Sequence, residues 1–203
     1  PLLDEVAFRT ENQLNEKPII ALLPGSRKQE IAKMLSVMLS VVEDFPDYQF
    51  VIAGAPSQEF SFYESFITNS NIKFVSNKTY DLLSIASAAL VTSGTATLET
   101  ALFKVPEVVC YKGSWASYQI AKRIITLKYI SLVNLIMDEV VVKELIQDKF
   151  NPKNLKQELS KLFEENHRKV LLKKYDDLES KLGGVGASEK TAKIIVKVLK
   201  NLA

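Results

Sequence analysis

Ala88-Ala89-Leu90-Val91-Thr92-Ser93-Gly94-Thr95-Ala96-Thr97-Leu98-Glu99 decides the fold. Its first part, AALVT over 88–92, is a short apolar run with the look of a buried strand. It passes directly into Ser93-Gly94-Thr95, and Ala96 to Phe103 then reads as a helix. The start of that helix offers N–H groups without intrahelical partners and a partial positive charge. A phosphate fits such an end. Small and hydroxyl-bearing residues, Ser93, Gly94, Thr95 and Thr97, surround it. Glu99 falls one turn in, placed to accept from a ribose hydroxyl pair. The plain alternative is capping, with Ser93 or Thr95 closing the helix and Glu99 favouring its dipole. The stretch lacks the G-x-G-x-x-G spacing of dinucleotide folds and the Lys of a P-loop.

Similar units flank it. Pro18 to Pro24 (PIIALLP) reads as a buried strand, followed by helical spacing over Glu30 to Phe45. Gln49 to Ala55 is a strand, Glu59 to Asn69 a helix, Ile72 to Val75 a strand and Tyr80 to Ala86 a short helix. Val105 to Tyr111 is a strand and Ser117 to Leu127 a helix. Tyr129 to Ile136 reads as extended, and Val142 to Gln147 as a helical turn or more. Alternating elements with strands apolar on both faces indicate a parallel sheet covered by helices. Residues 18–150 are therefore expected to form a Rossmann-like α/β sandwich, with 1–17 a linker or short entry helix. Residues 151–203 form a C-terminal helical tail: one helix from Pro152 to about Leu182, a break at Gly183-Gly184-Val185-Gly186, and a last helix capped by Ser188. In that helix Ile194, Ile195, Val198, Leu199 and Leu202 make one stripe, and Lys190, Lys193, Lys197 and Lys200 lie away from it.

Two further clusters carry chemistry. Leu22-Leu23-Pro24-Gly25-Ser26-Arg27, then Glu30, lies where a strand gives way to a helix. Ligands of open parallel sheets bind at such strand ends. Gly25 permits close backbone approach, Ser26 offers a hydroxyl, and Arg27 a fork of donors suited to a diphosphate; an ordinary turn with a solvated Arg is the alternative. Asn134 interrupts an apolar stretch, where its amide could read a base or sugar edge or satisfy stray backbone groups. Glu144 and Gln147 are ambiguous in the same way.

Composition narrows the classes. The chain has 203 residues and a formal net charge of +2, too little to argue for nucleic acid. From Lys153 onward there are 12 Lys/Arg against 7 Asp/Glu, a basic tail that suits anionic lipid, an acidic partner or a solvated helix face. Cys110 is the sole cysteine, in the apolar run VVCY, and reads as a small buried hydrophobe. His167, the sole histidine, sits in a charged stretch, so neither a metal cluster nor a Ser-His-Asp constellation is expected. No apolar run approaches a bilayer span and no signal-peptide pattern is present. The chain opens on Pro1 and is expected to be a piece of something longer.

Taken together, LLPGSRKQEI, SGTATLETAL, AKRIITLKYISLVNLI, KELIQ and LGGVGASEK resemble, in this order, the lipid-A-disaccharide synthases, from about Pro18 to the end. The resemblance implies one half of a GT-B glycosyltransferase, the C-terminal domain that holds the UDP part of UDP-2,3-diacylglucosamine. The family transfers this sugar to 2,3-diacylglucosamine 1-phosphate with inversion and without a metal or other cofactor. It implies that Gly25, Ser26 and Arg27 line the diphosphate side, that Ser93, Gly94, Thr95 and Thr97 hold phosphate, and that Glu99 takes the ribose. Asn134 would sit near the donor pocket with Glu144 and Gln147 behind it. The acceptor site and the acid/base carboxylate would lie in an N-terminal domain outside this chain. The final helices would cross back to that domain or exchange within a homodimer. The implied setting is cytoplasmic, in peripheral contact with the anionic inner membrane of a Gram-negative bacterium. The sequence departs from the family pattern at Val133, where Pro is expected, and at Asp138-Glu139, where Gly-Arg is expected. The alternative class is another GT-B enzyme of UDP-sugars, a UDP-N-acetylglucosamine transferase or 2-epimerase; a binding module without chemistry is a third.

Overall fold

The structure, a computed structural model, describes residues 3–113, 128–183 and 186–202. The helix expected over 117–127 lies outside them. Six strands form one sheet: β1 (Ile19–Leu23), β2 (Gln49–Gly54), β3 (Ile72–Ser76), β4 (Ala86–Thr92), β5 (Glu107–Tyr111) and β6 (Lys143–Ile146). All pairings are parallel, in spatial order β3-β2-β1-β4-β5-β6. Parallel neighbours need long crossovers, and helices supply them. The chain builds outward from β1 in one direction and from β4 in the other. The order therefore reverses between β1 and β4.

Strand alternation divides the core into two layers. Ile20, Leu22, Phe50, Ile52, Ala88 and Leu90 face one side. Ile19, Ala21, Leu23, Val51, Ala53, Ala89 and Val91 face the other. Every residue of β1 and β2 is buried, as a sheet covered on both faces requires. On the first side lie α2 (Lys28–Met38) with its 3-10 extension Leu39–Asp44, α3 (Phe60–Glu64), and helices from the C-terminal half. On the second lie α4 (Thr79–Ile85) and α1 (Glu5–Glu11). Asp4 caps α1, accepting from the Ala7 amide at 3.0 Å, and Phe8 plugs the second layer. The first residues thus form an entry helix.

Three expectations need correcting. Residues expected to be extended contain α6 (Leu132–Met137), because the Ser131 side chain accepts from the Asn134 amide and nucleates a turn. It ends where Asp138 adopts a left-handed conformation, φ 56°. Residues expected to be helical form β6, recruited by pairing with the free edge of β5. The single helix expected over 152–182 is two, α7 (Pro152–Lys161) and α8 (Glu165–Lys181). The break lets Leu162 enter the core and Phe163 pack on Tyr48, ring centroids 4.4 Å apart. Leu155, Leu159, Leu171, Tyr175 and Leu178 make α7 and α8 part of the sheet's first layer. The last helix, α9 (Ala187–Leu202), starts before Ser188. No helix among the described residues is long and apolar enough to cross a membrane.

Candidate functional site

A cleft of about 400 Å³ opens at the carboxyl ends of the strands, where the order reverses between β1 and β4. Open α/β sheets bind ligands at this place because diverging loops leave a crevice there. Leu23, Gly25 and Ser26 line it from β1, Ala53 to Pro56 from β2, and Thr92 to Thr95 from β4. The first turn of α5 (Thr95–Leu102) adds Ala96 and Glu99, and Thr79 opens α4.

The head of α5 is the electropositive end of the cleft. Gly94 precedes the helix and has no side chain to cap it, so the dipole and the leading N–H groups meet the cleft uncovered. Thr92 ends β4 only 4% exposed, and its hydroxyl has no hydrogen-bond partner among the described residues. A buried hydroxyl left unpaired costs about 1–3 kcal/mol, so its place on the lining points to a polar ligand. Gly25 holds φ 102°, strained for any other residue, and a Cβ there would come 2.8 Å from the Glu30 carboxylate. A second groove of about 430 Å³, lined by Asn77 to Asp81, shares Pro56, Thr79 and Glu99 with the cleft. Glu99 therefore stands at the junction of the two.

The expected site residues separate into three groups. Gly25, Ser26, Ser93, Gly94, Thr95 and Glu99 come together on the cleft. Arg27 sits at its border rather than on its lining: it is the exposed residue preceding α2. The charged side chains on the lining itself are the acids Glu30 and Glu99, so the attraction for an anion comes from backbone dipoles. Thr97 is fully buried and its hydroxyl donates to the Gly94 carbonyl at 2.8 Å, which ties the turn and leaves that hydroxyl unavailable to a phosphate.

Asn134, Glu144 and Gln147 do not line the cleft. Asn134 is 1% exposed; its oxygen accepts from the Val141 and Val142 amides, and its nitrogen donates to Val142 and Glu144. All its polar positions are spent inside the chain, so it has none left to read a base or sugar. Gln147 turns the chain after β6 at φ 54°, and its buried amide nitrogen has no partner among the described residues. The acids standing where Gly-Arg is expected have structural partners: Asp138 pairs with Lys128 at 3.2 Å and Glu139 with Lys174 at 2.7 Å. Val133 is buried in the first core layer. Among the described residues no cluster of metal-ligating side chains occurs.

A sequence model described as lipid-A-disaccharide synthetase matches residues 2–198. The chain belongs to this family. The lipid-A-disaccharide synthase of Syntrophus aciditrophicus is 36% identical over 189 residues, and that of Coxiella burnetii 35% over 185. Each comparison covers 89% of this chain and 49% of the relative. The chain thus spans about half the length of the family members it matches. Among solved structures, the calicheamicin glycosyltransferase CalG4 superposes with a TM-score of 0.61 at 15% identity, over 93% of this chain and 43% of that one. An S. aureus MnaA–UDP co-structure gives 0.60 at 13%, over 100% and 49%. At such identities the likeness is one of fold, and the fold is half of a GT-B glycosyltransferase.

Thr92, Thr79 and residues 53–56, at the end of β2 and just beyond it, were not singled out by sequence as site residues. The small residues Gly54-Ala55 closing a buried strand were the available signal. Their use required knowing that β2 lies beside β1.

Proposed function

We propose that this chain binds the UDP part of UDP-2,3-diacylglucosamine, in an enzyme that passes the sugar to 2,3-diacylglucosamine 1-phosphate. One observation carries the reading: the uncapped head of α5, the unpaired Thr92 hydroxyl and the Glu99 carboxylate share one cleft at the sheet's switch point. The diphosphate lies against the Gly94–Thr95 amides, with Gly25 and Ser26 opposite. The ribose hydroxyls donate to Glu99, and the base continues into the groove lined by Asn77 to Asp81. The site's task is to stabilise the negative charge that grows on departing UDP, which fixed dipoles do without reorganising. Arg27 reaches over the diphosphate from the border. The acceptor and the acid/base group belong to the part of the protein outside this chain. So does the surface that α9 covers, with contact to a second copy or to the membrane following from it.

Calorimetric titration tests the donor reading. UDP is expected to bind the chain more tightly than 2′-deoxy-UDP, and Glu99→Ala to weaken UDP by about tenfold while erasing the preference, as lost charge-assisted hydrogen bonds would. Equal affinity for both nucleotides in the parent chain would remove Glu99 from the ribose. Comparing UDP-sugars with and without acyl chains on the complete enzyme separates this donor from that of a UDP-N-acetylglucosamine transferase or epimerase.

A further inference from the structure

The segment from Ile130 to Asn134 is fastened by one side chain. Glu144, on edge strand β6, accepts at Oε1 from the Ser131 amide at 2.9 Å, the Ser131 hydroxyl at 2.8 Å and the Asn134 side chain at 2.9 Å. The Ile130 amide lies 3.1 Å from both of its oxygens. Ser131 Oγ in turn accepts from the Asn134 amide at 3.2 Å, which starts α6. Ile130 is where this clamp meets the cleft: its carbonyl accepts from Ser93 Oγ at 2.8 Å. Ser93 lines the cleft at the turn into α5, and its own amide donates to Cys110 at 3.3 Å.

We propose that Glu144 is a positioning residue for the anion end of the cleft. It touches no ligand. It fixes Ile130, Ile130 fixes Ser93, and Ser93 sets the direction in which the N–H groups at the head of α5 point. The ligand in this inference rests on the donor-site reading above.

The chemistry explains why a carboxylate stands there. Four donors converge on it, and an ionised carboxylate accepts through about four lone-pair sites while donating nothing. Gln at this position would keep one accepting oxygen and set an NH₂ against the Ile130 amide. A turn already held in place needs no ordering when the anion arrives, so its amides contribute more of their attraction to binding.

Two measurements on the full 203-residue chain test this. The first needs no ligand. Amide hydrogen exchange at Ser93 is expected to quicken by about tenfold in Glu144→Gln, with the β2 amides unchanged. Unchanged exchange at Ser93 would overturn the proposal. The second is UDP titration. Glu144→Gln is expected to weaken UDP by about tenfold, but by less than about threefold when Ser93→Ala is already present, because the two act through one chain of contacts. Fully additive losses, or none, would also overturn it. Should Glu144→Gln compromise folding, Ser131→Ala removes one of the four donors together with the cap of α6, and its effect on Ser93 exchange and on UDP is read the same way. If the parent chain takes up no UDP, the donor reading fails, and the exchange measurement alone decides whether Glu144 governs Ser93.

Discussion

Glu107 opens β5 with both carboxylate oxygens buried and without a hydrogen-bond partner among the described residues. Burial pushes its carboxyl well above the ordinary carboxylate range. The same burial, with Glu107 adding to it, raises the Cys110 thiol and the Tyr175 phenol. In the unfolded chain this carboxyl ionises near pH 4. Above that pH the folded state keeps a proton that the unfolded state releases. Stability from this group is therefore complete below the unfolded pKa and declines as pH rises toward the folded one, at no more than about 1.4 kcal/mol per pH unit. Glu107→Met, similar in size and apolar, is expected to raise Tm by about 5 °C at pH 8 and by much less at pH 5. Thermal melts at the two pH values check this, and an equal shift at both would show that ionisation is not the cause. Single residues were also where sequence reading reached its limit. Thr97 and Asn134 have the chemistry of ligand contacts. Sequence does not reveal that the Thr97 hydroxyl is spent on Gly94, or that the Asn134 amide is spent on Val141, Val142 and Glu144.

Among the elements, the five strands β1 to β5 were legible because each is a run with apolar residues too short for a helix, and each gives way to a helix signal. The head of α5 was legible for the same reason. Leu132–Met137 and Lys143–Ile146 were exchanged in kind. The first is a helix so apolar that periodicity says nothing, and its deciding cap depends on a side-chain contact. The second is an edge strand whose lysine and glutamate mimic a helix face, and only the neighbouring β5 makes it a strand. Gly54, at the end of β2, shows how an element's terminus shapes the cleft. A Cβ there would come 2.4 Å from the Phe74 ring, which packs on Tyr63 with centroids 4.9 Å apart. Gly54→Ala is expected to cost about 1–3 kcal/mol by overpacking. Phe74→Leu in the same chain should recover much of it, since it removes the obstructing edge. Denaturant unfolding of the single and double variants reads both numbers, and purely additive losses would exclude this contact as the cause.

For the molecule as a whole, the strand order had to come from coordinates. Sequence supplied alternating elements but not the reversal between β1 and β4 that places Gly25, Thr92 and Glu99 around one crevice. The last helix poses the converse problem, an element legible in sequence whose described apolar side chains are exposed. Ile194, Ile195, Val196 and Val198 are 50–63% exposed on α9, while α7 and α8 have their apolar faces buried in the first core layer. None of the described side chains of α9, residues 191–198, enters either core layer. An apolar stripe left in water contributes nothing to the stability of the sheet it follows, and it favours association. Removing residues 187–203 is therefore expected to leave the Tm of the remaining chain within about 2 °C, because two-state melting reports the cooperative core. The same truncation should lower binding of a hydrophobic dye, since it removes Ile194, Ile195, Val196 and Val198, all exposed. A fall in Tm of more than about 5 °C would mean that α9 is already part of the cooperative fold and that its stripe is not an unpartnered surface.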